Sequence, residues 1–403
     1  MAQRVQAVRG MRDFVPPAAR LRAQMAERIL RVYESYGFEL IETPALEDLA
    51  ALLGSNAGEN EKLVFKVLRR GARLEEAVAE GDELADTGLR FDLTVPLARF
   101  VSNHLNELPM PFKAAHIAPV WRAERPQRGR YREFTQCDID IVGEASVAAE
   151  IELLGAGLEA LGDLGLSGCT VRLNDRRLLR EAVEAHIGAI EDPYPVYLAL
   201  DRLDRSSPEE VASELAPFGA KKVSALLEWV ARADLATAAG LPGTAAEAVA
   251  DLRTTLSALE AAGASARFDP ALVRGIGYYT AQIFEVSHPE VGHSLAGGGR
   301  YDSMTARLGG PELPMCGFSI GFERVFDLVD AAVFATGGAR VAVLCASEAE
   351  MLQCLSVART RRAAGRATYN VVRRARNARR QQDDLARLGY TEVVDGADFA
   401  RGQ

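Results

Sequence analysis

Cysteine, lysine and histidine are scarce in this sequence, with five copies of each among 403 residues. Cys137, Cys169, Cys316, Cys345 and Cys354 are odd in number and show no CxxC spacing. That argues against a disulfide framework and against a zinc site, and leaves reduced, buried thiols as the expectation. The histidines form no HExxH motif and no pair at helical spacing, so no resident metal site is expected. No apolar run approaches the eighteen or more residues of a membrane helix. The first residues, MAQRVQAVRGMRDF, lack the apolar core of a secretory signal. Both absences point to the cytoplasm and to no membrane partner. Two phosphate-binding motifs are also missing: GxxxxGK[ST], and GxGxxG between a strand and a helix. Any bound nucleotide must therefore be met by side chains.

The length predicts two or three domains. The formal charge is −9, yet arginines are unevenly placed, and five of them fall within residues 121–132. Periodicity predicts a helix over 17–37 ending at Gly37, and a short strand in FELIETPALE broken at Pro44. The charged, glycine-bearing segment 68–88 reads as a hairpin or loop. LRFDLTVPLARFVSNHL reads as a strand entering a helix. A strand, a basic loop turning at Gly129, a second strand and a helix near 145–164 follow. Residues 176–262 are rich in Ala, Leu and Glu with helical spacing. Strand patterns return at 273–303, split by HPEVGH, and GFSIGFERVFDLV starts as a strand and continues as a helix. ATGGA at 335–339 reads as a linker, and the tail alternates as a small βαβαβ unit.

Two constellations carry chemistry. In F-T-Q-C-D-I-D-I, alternation puts Phe134, Gln136, Asp138 and Asp140 on one face, opposite Thr135, Cys137, Ile139 and Ile141. An amide with two carboxylates can bind an ammonium or an imidazole N–H; a solvent-facing sheet edge has the same pattern. Arg122, Arg125, Arg128, Arg130 and Arg132 precede that strand. Guanidinium groups suit phosphates and carboxylates, although a solvated loop would also be arginine-rich. An aminoacyl-adenylate fits the combination, having an ammonium at one end and phosphate at the other.

RAERPQRGRYREFTQCDIDI resembles motif 2 of the class II aminoacyl-tRNA synthetases, and among them the histidyl-tRNA synthetases. RGMRDFVP resembles the family's N-terminal block, YGFELIETPALE its motif 1 and LRFDLTVPLARF an amino-group-binding block. LVRGIGYYT and LAGGGRYD resemble the histidine-specific blocks, and CGFSIGFERVFDL resembles motif 3. The blocks run in family order over most of residues 1–330. The resemblance implies an α+β fold: a class II antiparallel-sheet catalytic core (1–175 and 263–332), a helical insertion (176–262) and a shortened anticodon-binding-like α/β domain (340–403). It also implies a homodimer.

By the same resemblance, Arg122 would hold the α-phosphate of ATP, Glu124 the adenine end and Arg324 the γ-phosphate, with Arg130 also among the ATP-binding residues. Asp92, Thr94 and Gln136 would contact the α-amino group. Asp140 and Tyr279 would read the imidazole, with Tyr278 nearby. Arg274 would lie between carboxylate and α-phosphate, and Mg2+ would bridge the outer phosphates. The sequence departs from the family pattern in three places. Thr135 replaces an aromatic or histidine, Gly277 replaces an aspartate, and the last one or two elements of the C-terminal domain are absent or replaced. Even so, residues 355–382 hold nine arginines and no acid. Arg373, Arg374, Arg376, Arg379 and Arg380 are candidates for tRNA contact, as a local cationic patch suits a phosphate backbone. Three functions stay open: ligation of histidine to tRNA, activation of histidine or a close analogue for another acceptor, and a histidine-sensing regulatory subunit of ATP phosphoribosyltransferase.

Overall fold

The structure is a computed structural model and describes residues 5–54, 61–126, 129–204, 206–273, 277–334, 338–365 and 367–401. In chain order its strands are β1 (Glu39–Leu40), β2 (Leu46–Asp48), β3 (Phe65–Leu68), β4 (Ala85–Leu89), β5 (Phe112–Trp121), β6 (Glu133–Val142) and β7 (Thr170–Asp175). There follow β8 (Ser265–Phe268), β9 (Gln282–Ser287), β10 (Ser294–Arg300), β11 (Met315–Gly321), β12 (Arg340–Cys345), β13 (Thr368–Arg373) and β14 (Glu392–Asp395). The chain divides into two compact units, one of Met1–Arg12 and Met25–Val329, the other of Asp13–Gln24 and Asp330–Gln403.

The first unit is α+β and is organised on an eight-stranded sheet of order β1-β5-β6-β11-β10-β9-β7-β8. Its five central pairings, from β5 through to β7, are antiparallel, and only the outer pairs β1–β5 and β7–β8 run parallel. Pro44 lies between β1 and β2, as the broken pattern predicts. Segment 68–88 corrects the expected hairpin or loop. β3 and β4 do pair antiparallel, but the helix Ala72–Glu80 is set between them. Gly71 and Gly81, both at positive φ, bracket that helix, so glycines that read as loop are its caps. Among the described residues, 176–262 contain no strand.

The sheet's two faces differ chemically. Ile139 and Cys137 pair across β6–β11 with Phe318 and Ile320, and all four are buried. The helix Ala148–Asp163 covers this side so closely that a Cβ on Gly157 would come within 2.3 Å of the Phe318 ring. The other side carries Gln136, Asp138 and Asp140, opposite Gly321, Ser319 and Gly317. Small residues on β11 thus leave space over the polar side chains of β6.

Arg300 ties this sheet to the helix beneath. Its guanidinium makes a two-point contact with Glu150 (Nε and Nη2, each 2.7 Å) and donates to the carbonyls of Glu144 and Ser146. Both side chains are almost wholly buried. Removing one member of such a pair strands the other, at about 3–5 kcal/mol. Arg300→Leu is therefore expected to lower the free energy of unfolding by that amount, read in a urea titration followed by circular dichroism. A loss under about 1 kcal/mol would show the pair to be unimportant.

The second unit holds a parallel sheet of order β13-β12-β14 with the helices Glu348–Ala364, Ala378–Arg387 and Gly396–Arg401. The alternating tail pattern accounts for all but the last helix. Cys345, Cys354 and Phe399 help form its core. Four of the five cysteines are buried free thiols, while Cys169 is half-buried, short of the expectation for it. The linker expected at 335–339 lies largely outside the described residues.

Candidate active site

A cavity of about 780 Å3 opens over the polar face of β6, β10 and β11, within the usual range of ligand pockets. It gathers the predicted residues Asp92, Thr94, Arg122, Glu124, Arg130, Gln136, Asp140, Tyr278, Tyr279 and Arg324. Arg274 lies outside the described residues.

One end is acidic. Asp92 precedes the helix Thr94–His104, where Oδ1 accepts from the Val95 N–H at 3.2 Å. Its Oδ2 is buried without a hydrogen-bond partner among the described residues, as is Gln136 Oε1. Burial, set against the Val95 N–H and Arg122, pushes the Asp92 carboxyl up to about 6. Asp140 is pushed up to about 7, chiefly by burial, against a hydrogen bond from the Tyr301 phenol. Asp138 is raised well above the usual carboxylate range by burial and by the neighbouring Asp140. Buried carboxyls of this kind either hold a proton or take a cationic partner, and the idle Asp92 oxygen is open to one.

Tyr301 was not among the predicted site residues. Its hydroxyl donates to Asp140 Oδ1, and its ring stands edge-on to Tyr278 with centroids 5.6 Å apart. Tyr278 in turn lies 4.8 Å from Tyr279 and reaches Thr94 Oγ1 at 3.5 Å. Glycines make these contacts possible. A Cβ on Gly317 would fall 2.0 Å from Asp140 Oδ1, and one on Gly299 would fall 2.9 Å from the Tyr279 ring. The run GGGRYD thus supplies clearance, a structural arginine and the Asp140 partner; its glycines were the available signal.

Around Arg122, Arg130 and Arg324 the lining is basic. Arg122 Nε donates to the Phe91 carbonyl at 3.0 Å, and the guanidinium lies 5.0 Å from the Phe134 ring. Arg130 and Glu124 form a loose ion pair at 4.0 Å on the cavity rim. Arg324 is held by the Ser294 carbonyl at 2.7 Å. The N-terminal block braces this lining: Arg12 pairs with buried Glu323 and lies over the Tyr131 ring. Glu323 also accepts from the Thr135 N–H, consistent with a Thr135 side chain outside the ligand face. Gly277 and His293 line the cavity as well. His293 is held below its usual range by burial and then by Arg324. His288, by contrast, is structural, bonded to the Ser167 carbonyl.

In the second unit Arg373, Arg374, Arg376, Arg379 and Arg380 are all exposed. Arg374 pairs with Asp395 and Arg380 lies 4.0 Å from Asp384. Arg373, Arg376 and Arg379 have no ion-pair partner among the described residues.

The profile of the histidyl-tRNA synthetase family matches residues 10–325. The chain belongs to the histidyl-tRNA synthetase family. It is 44% identical to a histidine–tRNA ligase of Leifsonia xyli over 97% of this chain and 95% of that one. A histidine–tRNA ligase of Aeropyrum pernix is 40% identical over 79% of this chain and 73% of its own length. The crystal structure of histidyl-tRNA synthetase from Nostoc sp. superposes with a TM-score of 0.76 at 26% identity, covering 96% of this chain and 90% of that one. A Bacillus halodurans structure, titled as an ATP phosphoribosyltransferase regulatory subunit/histidyl-tRNA synthetase, shares the fold at a TM-score of 0.77 and 22% identity, with 96% of each chain covered. The family's class II core is thus the fold of this chain. Among the described residues no helix is long and apolar enough to cross a membrane, and no three His, Cys, Asp or Glu side chains are placed to hold a metal ion.

Proposed function

We propose that this chain activates histidine with ATP to histidyl-adenylate and transfers the histidyl group to tRNA. The observation that carries the reading is one cavity lined both by buried acidic and amide groups with unsatisfied oxygens and by arginines, in a chain of this family. Asp92, Thr94 and Gln136 hold the α-ammonium. Asp140 and Tyr279 receive the imidazole, with Tyr278 beside them and Tyr301 fixing Asp140. Arg122 holds the α-phosphate, Glu124 and Arg130 the adenosine side, and Arg324 the outer phosphates. Arg274 is assigned, by family position, to the carboxylate and α-phosphate. Magnesium enters as part of the MgATP substrate, its charge spread over the phosphates.

In the reaction, the histidine carboxylate oxygen attacks the α-phosphorus, the bond to the bridging oxygen breaks, and pyrophosphate leaves. No covalent enzyme intermediate is needed, so the side chains act by alignment and by opposing negative charge. The domain reading follows: residues 1–175 and 263–332 form the catalytic core, 176–262 an insertion, and 340–403 a tRNA-contacting unit through Arg373, Arg374, Arg376, Arg379 and Arg380. We further assign a cytoplasmic homodimer.

ATP–pyrophosphate exchange with each amino acid, followed by charging of total tRNA, tests the reading. Exchange with histidine and charging of tRNA support it. Exchange without charging points to another acceptor. Histidine binding without exchange points to a sensing role.

The acidic end also predicts a pH dependence. Asp140 and Asp92 must be ionised to hold a cation, and in the empty site they titrate near 7 and 6. Histidine binding should therefore be strongest well above pH 7 and weaken as pH falls through 7 and then 6. Calorimetry near pH 6.5 in buffers of different ionisation enthalpy should show proton release, smaller in Asp140→Asn. An equal release in both proteins would contradict the assignment.

A further inference from the structure

We infer that Asp138, acting with Ser319, is a positioning residue that turns the Gln136 amide so that its oxygen faces the amino-acid end of the cavity. The inference rests on the histidine-activating reading above. Gln136 Nε2 donates to Asp138 Oδ2 at 3.2 Å and to Ser319 Oγ at 3.1 Å, while Gln136 Oε1 is buried without a partner among the described residues. Asp138 and Ser319 stand directly opposite each other on β6 and β11, and Gln136 sits two residues along the same face of β6. Their register brings both acceptors onto one NH2 group.

A side-chain amide has two orientations of nearly equal shape, chosen by the surrounding hydrogen bonds. Reversal here would set Gln136 Oε1 against the Asp138 carboxylate, acceptor against acceptor. It would also turn the NH2 toward the ligand's ammonium, donor against donor. A bound ammonium draws Asp138 toward its ionised form, which has no donor to offer, and so disfavours that orientation. Asp138 therefore acts on the substrate through Gln136. The consequence is specificity for a free α-amino group over an uncharged or acylated one.

Asp138→Asn keeps the shape and removes the bias, because the new amide can donate as well as accept. Losing one hydrogen bond to a charged group corresponds to about tenfold in binding. In the full-length chain, the KM for histidine in pyrophosphate exchange should rise about tenfold, with kcat and the KM for ATP within twofold. Adding Gln136→Glu to Asp138→Asn should return the histidine KM to within about threefold of the unsubstituted chain. A carboxylate presents an acceptor in either orientation, and the asparagine NH2 can satisfy its inner oxygen. Such rescue is a coupling that a merely structural aspartate would not give.

An unchanged histidine KM in Asp138→Asn overturns the inference, as does a raised KM that the second substitution leaves raised. If Asp138→Asn fails to fold, Ser319→Ala carries the test: a several-fold rise in histidine KM supports the inference, and an unchanged one overturns it. Absence of histidine-dependent exchange in the unsubstituted chain would instead remove the functional reading, and the inference with it.

Discussion

Arg122→Ala is expected to slow histidine-dependent exchange by about 100- to 1,000-fold, the usual effect of deleting one donor aimed at developing negative charge. Arg122 is anchored before any ligand arrives. Its Nε is committed to the Phe91 carbonyl and its plane lies beside Phe134, which fixes the direction of its outer N–H groups. Alanine removes the charge and also leaves that carbonyl without its donor. Histidine binding without ATP should fall far less than adenylate formation, the loss being limited to the positive charge that lowers the Asp92 carboxyl. Single-turnover adenylate formation and calorimetric histidine binding separate the two effects. Near-normal adenylate formation would sink the α-phosphate assignment.

Asp140→Asn is the second large effect, and it should fall on the amino acid. The asparagine still offers an acceptor to Tyr301 but cannot carry the charge that an imidazole N–H favours. Hydrogen bonds to charged groups contribute about 1.5–3 kcal/mol, so the histidine KM should rise about 10- to 100-fold while the KM for ATP stays put. Parallel losses for both substrates would indicate a collapsed cavity and contradict an imidazole role. Gly317→Ala should imitate the loss, because its Cβ would occupy the place of Asp140 Oδ1.

Strand alternation was legible wherever one face is apolar. From F-T-Q-C-D-I-D-I alone the correct residues could be set over the cavity, because Cys137, Ile139 and Ile141 must bury themselves against the helices. Arg122 and Arg324 could be named from their blocks, and both line the cavity. Other features depend on partners remote in sequence. Tyr301 reads as one more aromatic until the β6–β11–β10 register brings it to Asp140, 161 positions away. Arg300, in the same block, is engaged below the sheet with Glu150, which only the helix packing shows. The helix Ala72–Glu80 was obscured because its flanking glycines serve equally well as turn residues and as caps.

The buried carboxylates have a consequence for the lifetime of the protein. Asp92 and Asp140 titrate near 6 and 7 when the site is empty, above the unfolded carboxylate near 3.9. The ligand-free fold therefore loses stability as pH rises from about 4 to 7, and near neutrality that loss is fully present. A bound amino acid offsets part of it, adding about 2.7 kcal/mol to the folded state at a hundred times its dissociation constant. Degradation by proteases that attack the opened chain would then track nutrient supply, fastest in starved cells and slowest when amino acid is plentiful.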